Sequence, residues 1–591
     1  MEKTRRLFTF LFPTSGGCEE KEMYYRDEET LSDLFDGELR FREGANLSFD
    51  TYFNVFDYAV YRDDTAINEI AYVLSLQGNL TLQLRLLCPA EKKDEYQDIL
   101  LSERDFSSPE KTEIRLPLSF SHLPEKGTIY LAISAHSDGA FFGGYIEAEA
   151  EPLRSVKIGV AITTFKREAF VKRNVAAIMR DLPQEEFGVF VVDNGATLTQ
   201  EDVPGAHLFP NKNLGGSGGF ARGIYEICRN EAYTHILLTD DDISFESEIF
   251  RRTAAILRYA TDPDRIILGA SMLFLDKPYI QHEFGSRWNG RCVLSQNKKK
   301  DMRKRTSLLL NASAKPAQYT AWWFNCFSVS LPKRIGLPFP FFIKIDDVEY
   351  CLRANCKILL LNGIGVWHES FENKFSAILE YYSKRNELIL NALLGKRHGM
   401  CTAFRILLRG VSKQLIFQHY FALDLVFKAF DDFLAGADTF GQTDPEKLHA
   451  ELRPLGERYL SRQELEEQGF DLSRPFYTPQ SFDSLGGVLK QIFTLNGHLL
   501  PAKKEDYRLI DLTKNVKPEY YYRARRVVQY NPITEKGFVT EQKRGVLFKT
   551  GFRLIRYFFK LLFRHPKAAR SFRKAFPELI SEEAWIKRFD L

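Results

Sequence analysis

The chain has 591 residues, with 81 Lys and Arg against 78 Asp and Glu, for a net charge of +3; dividing its length by about 150 residues per unit suggests three or four domains, enough to bury a large core without disulfide staples. Its eight cysteines (18, 88, 228, 292, 326, 351, 356 and 401) are scattered without a CxxC pair, which argues against a secreted disulfide framework and against structural zinc. The near balance of charge hides a basic C-terminal end.

At the N-terminus, "MEKTRRLFTFLFPTSG" puts basic residues before an apolar run half as long as a signal core, with no A-x-A site after it, so a strand of the first domain is the expected reading. No stretch of about 18 uncharged apolar residues occurs, so no bilayer-spanning helix is expected. "LSFDTYFNV" (Leu47 to Val55) and "NLTLQLRL" (Leu80, Leu82, Leu84, Leu86) alternate with period two, as half-buried strands do. With "GTIYLAISAH" and "GGYIEAEAE" they predict an antiparallel β-sandwich or barrel over residues 1–150, either a carbohydrate-binding module or a docking platform.

Near Val156 the rhythm changes. "VKIGVAITTF" and "FGVFVVDNG" are continuous apolar strands around a helical pattern from Glu168 to Leu182, and the alternation runs on to about residue 395, predicting an α/β domain with a mostly parallel sheet. Ligands of such sheets sit beyond the carboxyl ends of the strands. After about residue 400 helical patterns dominate, so residues 401–591 are expected to be mainly α-helical.

"LLTDDDISFE" ends an apolar run in three carboxylates. At a strand end Asp240 and Asp242 point to one side and Asp241 to the other, which makes a hard anionic site for Mg²⁺ or Mn²⁺; a solvated loop or a helix start is the alternative. "PNKNLGGSGGFARG" (residues 210–223) contains a lax G-x-G-x-x-[GA] pattern, but two strand units precede it, against a nicotinamide site, and no Gly-Lys-Ser/Thr follows, against a P-loop. "PFFIKIDDVEYCLRA" sets Asp346 and Asp347 at the start of a helix, where capping is the plain alternative. His368 in "LLLNGIGVWHESF" follows a buried-looking strand, and a lone histidine there is more often structural than a ligand. In "YTAWWFNCFSVS", Trp322 and Trp323 are expected to face opposite ways on a strand, one in the core and one exposed as a platform for a sugar or base.

The ordered set "TTFKRE", "VVDNG", "NKNLGGSGGFARG", "TDDD", "AWWFN", "FIKIDDVEYCLRA" and "WHESF" resembles the family 2 glycosyltransferases of GT-A fold, and more narrowly the polymerising galactofuranosyltransferases of mycobacterial arabinogalactan synthesis. The match is close over about 150–400. The resemblance implies a Rossmann-like GT-A domain at 151–400 between a β-sandwich and a helical region. It implies that Arg167, Asn194, Asn213 and Asp240 bind the UDP part of the donor, and that Asp240, Asp242 and His368 hold a divalent cation, Mn²⁺ or Mg²⁺. Asp347 would be the catalytic base, and Trp323, Glu283 and Asp346, assisted by Trp322, would hold the acceptor sugar. The chain departs from the family at Ile345, where an aromatic residue is expected, and at Asn194, where a longer amide is expected. The implied reaction is inverting transfer of galactofuranose from UDP-galactofuranose to a lipid-linked glycan; a rhamnosyl or glucosyl transferase and a non-catalytic carbohydrate-binding scaffold are the alternatives. The family includes ring-like homo-oligomers, so self-assembly is an expectation as well.

"VLFKTGFRLIRYFFKLLFRHPKAARSFRKAF" (546–576) has no acidic residue. On a helix, Lys549, Arg553, Arg556, Lys560 and Arg564 form one stripe facing phosphate headgroups or solvent, while Phe548, Phe552, Ile555, Phe559 and Leu562 lie elsewhere. This predicts an in-plane helix on an anionic membrane, with the protein peripheral at the cytoplasmic face; a solvated face of a helix packed on the protein is the alternative. No nucleic-acid-binding motif accompanies the charge.

Overall fold

The computed structural model describes every residue except 1–4, 14–17, 28–30, 36, 91, 93, 94, 371–375, 396–398, 480, 483 and 515, so the first four and last three residues of the N-terminal stretch and Phe371 of "WHESF" lie outside the described residues. The alternation of Leu80, Leu82, Leu84 and Leu86 puts four leucines on one face of the strand Glu69–Pro89, and all four are buried. Each contributes roughly 1.5–3 kcal/mol of burial free energy. This strand is the spine of the N-terminal region. It pairs along its length with Tyr96–Ser119, while its first half also pairs with Gly139–Ala148 and its second half with Thr128–Ala135. Arg6–Thr9 adds to Gly139–Ala148, as the N-terminal reading expected.

Two expectations change here. The eight strands form one continuous antiparallel sheet, a half-barrel nearer the barrel alternative than a two-sheet sandwich, because the long strand passes from one neighbour to the next without breaking. The alternating stretch from Leu47 to Val55 is a strand only at Asn46–Ser48. Beyond it, side chains capture backbone groups: Thr51 Oγ1 donates to the Tyr24 carbonyl at 2.6 Å, and Asn54 Nδ2 to the carbonyls of Tyr24 and Leu11 at 2.6 and 2.8 Å. Polar side chains that bond locally compete with a strand ladder, and here they win.

The central sheet has the order His207–Pro210, Phe187–Asp193, Ile158–Thr164, His235–Asp240, Asn325–Ser328, Ile266–Gly269, Lys357–Leu359. It is parallel except where Asn325–Ser328 enters antiparallel between two neighbours. The chain order reverses at Ile158–Thr164, whose neighbours are the second and fourth strands of the unit, and a crevice opens beyond the carboxyl ends at such a point. A second sheet (Ser244–Phe245, Gly365–His368, Ser271–Phe274, Ile280–Glu283, Lys300–Asp301) forms the adjoining wall.

The β-region is joined firmly to this domain. Arg252, buried on the helix Glu248–Tyr259, donates through Nη1 to the Gly363 carbonyl and through Nη2 to the Thr9 carbonyl, both at 3.0 Å, and its guanidinium lies 3.7 Å from the Phe8 ring centroid. Asp57 accepts from the Asn362 backbone N–H at 2.7 Å and from its side-chain amide at 3.2 Å.

The last third is mainly helical. Ala377–Leu393, Met400–Ile416 and Tyr420–Ala435 pack with the 36-residue helix Arg544–Leu579. A four-stranded sheet (Leu460–Ser461, Lys536–Glu541, Arg526–Asn531, Arg508–Asp511) also occurs there, which the fading strand signals did not reveal, because these strands are short and mix charged with apolar residues. Among the described residues no helix is long and apolar enough to cross a membrane.

Replacing Arg252 by Met strands two buried carbonyls and leaves Glu248 without its buried counter-charge. A loss of about 3 kcal/mol in stability is expected from the shift of the urea-unfolding midpoint; a loss below about 1 kcal/mol would mean that other contacts hold the two regions together.

Candidate functional site

The strand His235–Asp240 ends with Asp240 paired to Thr163. As the two-residue period requires, the next two side chains part. Asp241 turns inward and accepts from Thr164 Oγ1 at 2.7 Å and Arg167 Nη1 at 3.2 Å; Asp242 faces His368 Nε2 at 3.1 Å and also binds Arg167 Nη1. Asn174 Nδ2 donates to the carbonyls of Asp241 and Ile243 at 2.8 and 3.1 Å and fixes the turn.

His368 closes the strand Gly365–His368. Its Nδ1 lies 2.7 Å from the Glu369 carbonyl oxygen, an atom that can only accept, so Nδ1 carries a proton and Nε2 faces the carboxylates. One ligand atom each from Asp240, Asp242 and His368 lie within 4.8 Å of one another, a carboxylate-rich set with one imidazole that suits Mn²⁺ or Mg²⁺. The two carboxylates differ electrically. Burial, and then Asp242, push Asp240 up to about 7. Burial opposes ionisation of Asp242 too, but the His368 hydrogen bond and the Arg167 charge hold it at about 2.

Asp346 and Asp347 open the helix Asp346–Ala354. Asp346 accepts from Ser217 Oγ at 2.8 Å, and Asp347 accepts from the Val348 backbone N–H at 2.8 Å. Burial, and secondly Asp346, raise the Asp347 carboxyl to about 8, and burial raises Asp346 against the pull of Ser217. The turn before them is strained: Phe342, Lys344 and Ile345 have φ of 77°, 68° and 71°, each on the order of 1–3 kcal/mol for a non-glycine residue.

The glycine-rich stretch is the start of the helix Gly215–Cys228, and its glycines mostly approach protein rather than open space. A Cβ on Gly215, whose φ is +69°, would lie 2.1 Å from the Phe342 carbonyl oxygen, and one on Gly219 would lie 2.1 Å from the Thr163 side chain. Gly216 is the glycine of this stretch that lines the cavity. Asn194 is spent on the same contact, donating to the Gly215 carbonyl at 3.0 Å and accepting from Asn211 at 2.8 Å; Asn213 accepts from the Gly215 N–H at 3.2 Å.

The two tryptophans correct an expectation. They occupy a turn ahead of Asn325–Ser328, not the strand, and both are buried, at 4% exposure for Trp322 and 8% for Trp323. Trp323 Nε1 donates to the Ala270 carbonyl at 3.1 Å, and Trp322 packs edge-on against Phe220 and Tyr350. Both still contribute to a cavity wall. Glu283 accepts from Ser295 Oγ at 2.5 Å, and its carboxyl is raised by burial.

A cavity of about 800 Å³ unites these groups. Of the residues singled out from sequence, Arg167, Asp240, Asp242, Glu283, Trp322, Trp323, Asp346, Asp347 and His368 line it, whereas Asn194 and Asn213 do not. Thr164 and Asn174, which hold Asp241 and its turn, and Ser217, which holds Asp346, were not anticipated, and single hydroxyl and amide residues carry no pattern that would mark them.

No family model matches the chain. It is similar to Galactofuranosyltransferase GlfT2 of Mycolicibacterium smegmatis, with 27% identity over 428 residues that cover 67% of this chain and 65% of the relative. It is also similar to Galactofuranosyltransferase GlfT2 of Mycobacterium tuberculosis, with 26% identity over 434 residues, 67% of this chain and 66% of the relative. The chain thus matches just under two thirds of the length of these relatives, and the resemblance read from the ordered motifs is borne out. Among solved structures, a mannosyltransferase, PcManGT from Pyrobaculum calidifontis in complex with GDP-Man and Mn²⁺, aligns with 13% identity and a TM-score of 0.29 over 52% of this chain and 81% of that one. S. aureus TarS 1–349 aligns with 15% identity and a TM-score of 0.30 over 55% and 94%.

With its folded-state value raised to about 8, Asp347 stays protonated in the fold over a range where the unfolded chain, at about 4, has already released the proton. Its contribution to stability is therefore full below about pH 4 and is lost as pH rises towards 8. In chelator-treated protein, Asp347→Asn should raise stability at pH 8 by ~1–3 kcal/mol and change it little at pH 4, as read from urea midpoints at both pH values. A variant less stable than the parent at pH 8 would contradict this account of the buried carboxyl.

Proposed function

We propose that this chain, similar in sequence to the galactofuranosyltransferases, is a glycosyltransferase of GT-A type that moves galactofuranose from UDP-galactofuranose to a sugar hydroxyl of a lipid-linked glycan, with inversion. The observation that carries the reading is that one cavity gathers Asp240, Asp242 and His368 at a strand-end cluster and the Asp346–Asp347 pair at a helix start. Asp240, Asp242 and His368 would hold Mn²⁺ or Mg²⁺, which when bound supplies positive charge against the diphosphate leaving group.

The chain's own groups divide the remaining work. Arg167, half-exposed at the cavity edge, is tied to Asp241 and Asp242 and adds a fixed cation near the donor diphosphate. Asp347 is the base: once ionised it takes the proton of the acceptor hydroxyl as that oxygen attacks the anomeric carbon, and one displacement inverts the configuration. A raised carboxyl is a stronger base than an ordinary one, which suits this task at neutral pH. Glu283 and Asp346 offer carboxylate acceptors to sugar hydroxyls. Trp322 adds a buried Nε1–H without a hydrogen-bond partner among the described residues, a donor available to the acceptor sugar. Asn194 and Asn213 act on the donor through the glycine-rich loop that they brace.

The C-terminal helix supports a membrane-held acceptor in a modified form. Its Thr550, Tyr557, Leu561, His565, Ala568 and Phe572 are buried, so it packs on the protein. Two members of the expected basic stripe are spent there, Arg553 on Asp424 and Lys560 on Asp431, which corrects the reading of that stripe as wholly outward-facing. A separate face leaves Phe548, Phe552 and Phe559 exposed at 67%, 75% and 52%, and the helix Leu485–Phe493 exposes Leu485, Ile492 and Phe493. Lys549, Arg556 and Arg564 form no ion pair among the described residues. Exposed aromatics with unpaired cations fit the surface of an anionic bilayer.

Assays with UDP-galactofuranose, UDP-glucose and dTDP-rhamnose on a lipid-linked acceptor should give turnover with the first, and turnover only with the others would assign a different transferase. Asp347→Asn should lose at least about 10³-fold in kcat while donor binding is kept. Mn²⁺ should raise the Tm of the parent, and Asp242→Asn should abolish that rise. Unchanged transfer by Asp347→Asn would remove Asp347 from its role.

Because the C-terminal helix contributes core residues, its membrane role is tested by substitution rather than truncation. Phe548, Phe552 and Phe559 changed together to Ser should weaken cosedimentation with anionic liposomes by about tenfold or more at unchanged Tm. Undiminished binding would sink the membrane proposal.

A further inference from the structure

The turn that presents the aspartate pair, residues 341–345, carries three non-glycine residues at positive φ within four positions. Such a conformation persists only when its surroundings over-determine it. Each carbonyl of residues 341 to 344 is held by a donor from outside the turn. Arg385 Nη2 donates to Phe341 O at 2.9 Å, the Ser217 backbone N–H donates to Phe342 O at 3.2 Å, and Asn386 Nδ2 donates to both Ile343 O and Lys344 O at 2.9 Å. Asn386 is completely buried on the helix Ala377–Leu393, and Arg385 Nε donates to its Oδ1 at 3.0 Å, which turns the amide nitrogen towards the two carbonyls. The guanidinium is itself held among the rings of Tyr381, Tyr382 and Phe440, with centroids 5.1–5.3 Å away. Neither atom group of this pair does what a substrate-binding group does, because neither Arg385 nor Asn386 lines the cavity of the aspartates.

We propose that Asn386, oriented by Arg385, is a positioning residue for the reaction: by tying the carbonyls of Ile343 and Lys344 it keeps Ile345 in the left-handed conformation from which Asp346 turns to Ser217 and Asp347 to the cavity. A side chain of the helix Ala377–Leu393, which packs with the C-terminal helices Tyr420–Ala435 and Arg544–Leu579, thereby sets the geometry of a group at the cavity. The kinetic half of this inference rests on Asp347 acting as the base; the conformational half does not. A displacement of about 1 Å at a reacting group is worth on the order of 10² in rate.

Asn386→Leu keeps the size of the side chain and removes its donors. In the full-length protein it should lower kcat by about 10²-fold with donor KM changed less than about twofold. Backbone amide exchange should speed up at residues 341–348 and stay at the parent rate at residues 235–243. Arg385→Lys, which keeps the charge but cannot reach both Phe341 O and Asn386 Oδ1 in one plane, should give the same local pattern at smaller size, and it replaces the first variant if Asn386→Leu does not fold. Unchanged kcat with unchanged exchange overturns the proposal. Faster exchange throughout both segments, with kcat and donor KM altered together, also overturns it, because that is the signature of general loosening. If the parent transfers no sugar from any donor, the reading of Asp347 fails, and the exchange comparison alone still decides whether Asn386 holds the turn.

Discussion

Six carboxylates, those of Asp240, Asp241, Asp242, Glu283, Asp346 and Asp347, line one cavity, and keeping them there against their mutual repulsion is the constraint on which the rest of the site depends. At a separation of 4 Å, two like charges repel by about 4 kcal/mol in an environment of intermediate polarity. The chain meets this with side-chain partners for four of the six. Arg167 and Thr164 take Asp241, His368 and Arg167 take Asp242, Ser217 takes Asp346, and Ser295 takes Glu283. Asp240 and Asp347 have no cationic partner at hydrogen-bond distance among the described contacts, and they are the two driven furthest from the ordinary carboxylate range. Those two are also the groups assigned the cation and the proton.

The same crowding explains why local rules are broken close by. Glycines gather in the helix Gly215–Cys228 because its first turn is pressed on the Phe342 carbonyl and its body on the first strand of the sheet, where a methyl group has no room. Left-handed backbone at Phe342, Lys344 and Ile345 lets a helix begin at Asp346 directly behind a turn that points away from it. Sites where local preference and tertiary demand disagree are where function is expected, since a sequence without that demand would relax them.

The long helix Arg544–Leu579 shows how one pattern can serve two surfaces. Aromatic and aliphatic residues recur along it in two stripes, one from Tyr557 through Leu561 to Phe572 facing the helical core and one from Phe548 through Phe552 to Phe559 facing outward. Both stripes have the spacing of a helix face. The packing partner, the helix Tyr420–Ala435, distinguishes them, and its Asp424 and Asp431 pair with Arg553 and Lys560.

By itself the sequence determined what depends on local periodicity and on residue type at a strand or helix end: the apolar strands and their order, the helix that starts at Asp346, the separation of Asp241 from its neighbours, and the ordered motifs that join Asp240, Asp242, Asp347 and His368 into one reading. These follow from a period of two or 3.6 residues and from the chemistry of carboxylate and imidazole, which neighbours in sequence reveal. The tertiary structure alone decided that the segment after Ser48 coils, that Trp322 and Trp323 are both buried, that Asn194 braces a loop, and that Arg385 and Asn386 hold a turn more than forty positions earlier in the chain. Each of these is a contact between distant segments, and a hydrogen bond from a buried amide to a carbonyl far away in the chain depends on where packing puts the two groups, for which no spacing in the sequence stands as a sign.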